Sequence, residues 1–276
     1  MSQQVTVEAT RGELTVQRSA VTRAIRDSLA VTWRNLIGYR RVPQLLVFST
    51  IQPVIFVIMF RYVFGGAITI RGSIPYVDFL MPGVFVQTVV FGAIATAIGL
   101  ATDMKSGLLE RFRSLPMARS AVLAGRTTAD LARNVFVVLL MLAVGFLVGF
   151  RIHTDVLGLI GGILLLLGFG YAMCWIFATV GLAVGDPETA QAAAFPVLAP
   201  LVFASTLFVD SATMPGWLAA WADHQPVSLT AKAVRYLTLG DSPLGRSSDL
   251  WAALAWIVGI LVVFAPIAVR RYRRSV

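Results

Sequence analysis

The ionisable and nucleophilic side chains of this chain are few, and their positions decide which chemistry is open to it. Asp103, Glu110, Asp130, Asp155, Asp186, Glu188 and Asp210 all flank apolar runs. An ion-coupled carrier places an ionisable group at membrane depth, where the coupling ion needs a site, and the pattern shows none. His153 and His224 are far apart and read as interface residues. Cys174 is the single cysteine, so no intramolecular disulfide is available; beside Trp175 it reads as a packing residue. With no close grouping of His, Cys and acid, neither a metal centre nor a nucleophilic site is supported. The only lysines are Lys105 and Lys232. A phosphate-cradling loop needs Gly-Lys followed by Ser or Thr, whereas Met104 precedes Lys105 and Ala231 precedes Lys232. No catalytic, cofactor-binding or metal site is therefore expected, and the chain is not expected to bind ATP by that route or to be an enzyme on its own.

What remains is one concentration of charge between apolar runs. In Met104–Arg126 stand Lys105, Arg111, Arg113, Arg119 and Arg126, with Glu110 as the one acid. Leu108, Leu109, Phe112 and Leu115 fall near helical spacing. Pro116 ends that helix, because it has no N–H and disfavours the α conformation in the residue before it. A second helix starts at Arg119 or Ser120. On residues alone this is either an ordinary charged loop or a short amphipathic handle on which a soluble partner pushes.

The elements that must position these residues are membrane spans. The sequence is 57% hydrophobic and 13% charged, with mean hydropathy +0.79, more apolar surface than a soluble domain can hide. The net charge of +9 does not indicate nucleic acid, since the arginines cluster beside apolar runs and no long polar domain exists to dock a duplex. The predicted fold is an all-α integral membrane protein with six transmembrane helices, at about 45–64, 79–100, 131–150, 156–180, 190–209 and 250–269. Gln52-Pro53 interrupts the first, and Pro196 and Pro200 bend or break the fifth. Gly185 can end the fourth helix, Asp186 can cap the next, and Pro187 suits its first position. Asp130 and Arg133, three apart near the inner end of the third span, could pair.

Residues 1–18 read as a disordered cytoplasmic tail and 19–44 as an amphipathic helix, either lying in the membrane interface or packed on a soluble partner, with Arg26, Trp33 and Arg34 as its marking residues. Residues 45–270 form the six-span body, with an inner loop at 101–126 and an outer helical segment at 210–249. That outer segment holds Trp217 and Trp221 at headgroup level and a short helix Ser228–Leu239, capped by Ser and ended by Gly240. Residues 271–276 are a basic cytoplasmic tail. The bias of basic residues toward the N-terminus, the 104–126 island and the C-terminal tail places all three in the cytoplasm.

Four stretches resemble the permease subunits of type-2 ABC transporters, in their daunorubicin-resistance (DrrB-like) branch. They are Gln52-Pro53 with Phe64-Gly65-Gly66; Phe79-Leu80-Met81-Pro82-Gly83; Gly107 to Met117 running on to Gly125-Arg126; and Pro215-Gly216-Trp217 with His224-Gln225-Pro226-Val227-Ser228 and Arg235. Asp186-Pro187-Glu188 fits the family's short inner loop. The match covers about residues 30–270. The resemblance implies a dimer of permeases in a bacterial cytoplasmic membrane, bound to two separate ATP-binding subunits that hold ATP and Mg. It also implies that the N-terminal helix and Leu108, Leu109, Glu110, Arg111, Phe112, Arg113, Ser114, Leu115 and Pro116 contact those subunits. Gln52, Phe56, Phe60, Phe85, Gln87, Phe195 and Phe203, on spans one, two and five, are the candidate pathway residues. A hydrophobic or amphipathic drug, metabolite or lipid exporter is the first expectation. A lipid-linked glycan or cell-envelope lipid exporter is the alternative, and an ion-coupled carrier or membrane enzyme the remote one.

Overall fold

The computed structural model describes residues 28–33, 35, 37, 43–65, 74–107 and 119–274. Helix α1, Pro43–Ile58, continues through a π-helical stretch, Met59–Phe64. Then follow α2 (Tyr76–Lys105), α3 (Arg119–Val148), α4 (Val156–Val184), α5 (Pro187–Phe203), α6 (Gly216–His224), α7 (Pro226–Leu239) and α8 (Ser247–Arg274). Among the described residues no strand is present.

Local chemistry sets several of these boundaries. Asp155 accepts a hydrogen bond from the Gly158 N–H at 2.9 Å and starts α4. Gly185, at φ 74°, ends it in the left-handed conformation that only glycine adopts readily. Asp186 then accepts from the Thr189 N–H at 3.1 Å, and Pro187 takes the first position of α5. The turn between α4 and α5 is as its residues predict. Helix α7 differs: Ser228 was expected as its cap, but the helix starts at Pro226 with Gln225 before it. Proline's fixed φ suits a first helical position, which releases the Ser228 hydroxyl for use inside the fold. Gly240 closes α7, as expected.

Helix α2 is the axis of the molecule. Nearly every residue from Tyr76 to Val90 is buried, because α1, α3, α4, α5 and α7 all pack around it. Four helices are long and apolar enough to span a membrane: Tyr76–Lys105, Leu123–Val148, Val156–Val184 and Ser247–Tyr272. The first expected span lies within the helical run Pro43–Ile58 and Met59–Phe64, whereas the fifth is shorter. The fifth stops at Phe203 rather than running to 209. Pro196 and Pro200 withhold two N–H donors from α5, and its terminal carbonyls are taken by a side chain: Gln225 Nε2 donates to Leu201 O at 2.8 Å and to Ala204 O at 3.2 Å.

At the Tyr76 end of α2, Arg235 of α7 pins the chain that follows α5. Its Nε donates to Phe79 O at 3.1 Å, and its Nη2 to Thr206 O and Leu207 O at 2.9 and 3.0 Å. The guanidinium carbon lies 3.8 Å from the centre of the Phe79 ring. Ser228 Oγ accepts from the Thr206 N–H at 3.0 Å. Arg235 was expected as an outer-loop charge; it is instead 1% exposed and a structural clamp. Burial lowers its pKa to about 9, so it stays charged at neutral pH.

Candidate functional site

The helices around α2 leave a cavity of about 420 Å³, within the range of small-molecule sites. Its polar wall comes from four elements: Gln52 on α1, Gln87 and Thr88 on α2, Arg133 and Asn134 on α3, and Gln191 on α5. Phe91, Ile94, Ile98 and Val137 supply the apolar remainder. Gln52 and Gln191 are exposed and so stand on its rim, whereas Gln87, Thr88, Arg133 and Asn134 are buried. Arg133 lies fourteen residues past Arg119 in one thirty-residue helix and Gln87 eleven past Tyr76 in another, so both stand near the middle of helices long enough to span a membrane.

Gly92 makes this wall possible. Arg133 Nη2 donates to Gly92 O at 2.5 Å and to Asn134 Oδ1 at 3.3 Å. A Cβ at position 92 would stand 2.8 Å from Asn134 Oδ1 and 3.1 Å from Arg133 Nη2, so a side chain there would push both groups away. Thr88 returns its hydroxyl to Val84 O at 2.7 Å. Gln87 is 3% exposed, yet its Oε1 has no hydrogen-bond partner among the described residues. A buried amide oxygen without a donor costs free energy that a bound molecule can recover.

From the cavity toward the Lys105 end of α2 runs a line of charge. Thr96 Oγ1 donates to Asp130 Oδ2 at 2.5 Å, and Arg126 Nε lies 3.9 Å from the same oxygen. Arg126 Nη1 reaches Asp103 Oδ2 at 3.2 Å. At the tip Lys105 Nζ meets Asp186 Oδ1 at 2.7 Å, which ties α2 to the α4–α5 turn. The hydrogen bond from Lys105, with those from Thr189, holds the Asp186 carboxyl down to about 2. Asp130 is fully buried, eleven residues past Arg119 in α3, and Arg133 stands three residues further on. Helix α3 begins at Arg119, as expected, and runs on through the third apolar segment, so both groups lie inside it.

The predicted residues distribute unevenly. Gln52 and Gln87 meet on the cavity wall. Phe56 and Phe60 stack with each other, and Phe60 stacks on Phe208 with centroids 4.7 Å apart. Phe85 packs edge-on against Phe150. Phe195 and Phe203 are exposed on α5. Trp33 is exposed, while its neighbours Val31 and Thr32 are buried and Thr32 Oγ1 donates to Gly125 O at 3.0 Å, so the helical residues 28–33 lie against the start of α3. Arg26, Arg34 and the whole stretch Leu108–Pro116 fall outside the described residues. Arg133, Asn134, Thr88 and Gln191 were not singled out from sequence as cavity residues. The available signal was a cation and an amide adjacent in an otherwise apolar run.

A helical body with four helices of spanning length, closed around a solute-sized polar cavity at mid-depth, defines a multi-pass membrane protein. The ABC-2 type transporter family model matches residues 27–239, and the chain belongs to that family. It is 37% identical over 259 residues to the daunorubicin resistance ABC transporter permease protein DrrB1 of Streptomyces coeruleorubidus, covering 94% of this chain and 90% of that protein. It is 27% identical over 275 residues to the probable doxorubicin resistance ABC transporter permease protein DrrC of Mycobacterium tuberculosis, covering 99% and 97%. A putative transport permease, ycf38, of Pyropia yezoensis is 27% identical over 221 residues, covering 77% and 74%.

Proposed function

We propose that the chain is the membrane permease of an ATP-driven exporter that moves a hydrophobic or amphipathic drug, metabolite or lipid out of a bacterial cytoplasm or inner leaflet. The observation that carries this reading is the cavity at mid-depth, in a chain similar over nearly its full length to permeases named for drug resistance. In this reading the protein crosses the cytoplasmic membrane six times with both termini inside. Two copies pair, and two separate ATP-binding subunits supply ATP, Mg and the energy of hydrolysis.

Coupling runs through Leu108–Pro116, which follows directly on α2. Closure of the ATP-binding subunits displaces this segment and with it the Lys105 end of α2. The Arg126–Asp103 contact hands the motion to α3, and the Lys105–Asp186 contact hands it to α5. Helices α1, α2 and α5 then tilt and the cavity opens outward. The substrate gains from the change only if its contacts differ between the two states.

The test is ATP turnover by the chain co-expressed with the ATP-binding subunit from a neighbouring reading frame. Arg111→Ala combined with Arg113→Ala should cut substrate-stimulated turnover while the complex still co-purifies. Unchanged turnover in an intact complex would remove the coupling role.

A further inference from the structure

We propose that the cavity among α1, α2, α3 and α5 selects an amphipathic molecule by a neutral or anionic head rich in hydrogen-bond acceptors, a carboxylate or a carbonyl group, and disfavours an ammonium head. The inference rests on the export reading and specifies its substrate class.

The polar wall is Gln52, Gln87, Thr88, Arg133, Asn134 and Gln191. Among the described residues it contains amides, one hydroxyl and one guanidinium, and no carboxylate. An ammonium group moved from water to mid-membrane needs a carboxylate or a cluster of aromatic faces to replace its hydration. Among the described residues this wall offers a single aromatic ring, Phe91, and a like charge, Arg133. Asp130, one helical turn before Arg133, is not on the wall; it takes the Thr96 hydroxyl and faces Arg126. An acceptor group meets the opposite situation. Guanidinium and amide N–H groups of α3 lie on one side, held in place by the close approach that Gly92 permits. Hydrogen bonds from a cation to an oxygen acceptor are the stronger kind, most of all to a carboxylate. The buried Asn134 Nδ2 lacks an acceptor among the described residues, which a ligand carboxylate or carbonyl oxygen would supply, and Gln87 Oε1 lacks a donor, which the hydroxyl of a neutral head would supply. The apolar body of the ligand fits Phe91, Ile94, Ile98 and Val137.

The test uses the full chain in nanodiscs and three probes with one apolar body: 1-pyrenebutyric acid, 1-pyrenebutanol and 1-pyrenebutylamine. Binding is read by fluorescence anisotropy, with empty nanodiscs subtracted. The acid and the alcohol should bind at least about tenfold more tightly than the amine, the value of one hydrogen bond to a charged group. Arg133→Gln should abolish the preference for the acid over the alcohol, and Arg133→Lys should restore most of it. Because Arg133 also braces α2, a variant on the exposed rim supplies a second arm. Gln191→Glu, which leaves the buried wall intact, should shift the preference toward the amine. Preferential binding of the amine by the wild-type chain would overturn the proposal, as would a head preference that neither Arg133→Gln nor Gln191→Glu moves. The export reading fails separately. If the acid binds as described but no probe is carried by the complex with ATP, the site stands and the transport assignment falls. If the amine is exported and cavity variants do not matter, the reverse holds.

Discussion

Two buried arginines divide the molecule. Arg235 is fully enclosed and engages three backbone carbonyls and the face of Phe79, so it welds α7 to α2 and to the chain after α5. Arg133 is nearly as buried, but it lies on the wall of a cavity beside amides that retain hydrogen-bonding capacity. Burial of a charge inside a membrane protein therefore does not by itself mark function. What distinguishes the second site is space in front of the charge and a neighbour whose polar atom has been left for something else.

The comparison can be broken most sharply at Arg235. Arg235→Met keeps the apolar stem but leaves the Phe79, Thr206 and Leu207 carbonyls without that donor. Relief of the buried charge offsets part of the loss, and the net cost should be about 2–4 kcal/mol. Thermal unfolding in nanodiscs, followed by tryptophan fluorescence, should show a large drop, and expression should fall. A variant as stable as wild type would mean that the clamp contributes little. Arg126→Met comes next. It removes one partner from Asp103 and one from fully buried Asp130, and should cost about 1–2 kcal/mol while reducing substrate-stimulated ATP turnover more than basal turnover. Equal loss of both would argue against a coupling role.

Gly92→Ala should be nearly silent in stability, because the helix-propensity gain of about 1 kcal/mol offsets crowding of similar size. Its effect belongs to the cavity: binding of 1-pyrenebutyric acid should weaken by about tenfold as Arg133 and Asn134 are displaced. The smallest effect is expected at Asp186→Asn. The Asp186 pKa is lowered in the folded protein from 3.8 to about 2, so what its charge contributes is present above pH 4 and lost as pH falls toward 2. The stability difference between wild type and Asp186→Asn should thus stay constant between about pH 5 and 8 and close only in acid. A difference that changes near neutral pH would point to another titrating group.

Local signals were the legible ones. Gly185, Asp186 and Pro187 specify a turn within three adjacent residues, and the structure builds it from those same residues. Gln52 and Gln87 stand out as amides in apolar runs, and both reach the cavity. Arg133 reads as a partner for Asp130 and Asn134 does not stand out, because the close approach of Gly92 that joins them to α2 is not visible in local sequence. The aromatic candidates lie away from the cavity wall. Phe56, Phe60 and Phe85 fill space against Phe208 and Phe150, partners distant in sequence that no periodicity reveals. Gln225 and Arg235 likewise act on carbonyls twenty or more residues away, left without helical partners where α5 ends and the irregular chain follows.

The most direct measurement is uptake of 1-pyrenebutyric acid into inverted membrane vesicles carrying the chain with its ATP-binding subunit, at fixed ATP and with ion gradients collapsed. Uphill uptake that persists without ion gradients, disappears when the ATP-binding subunit is omitted, and falls with Gly92→Ala is the predicted result. Uphill uptake by the chain alone, or uptake that stops when the ion gradients are removed, would contradict it.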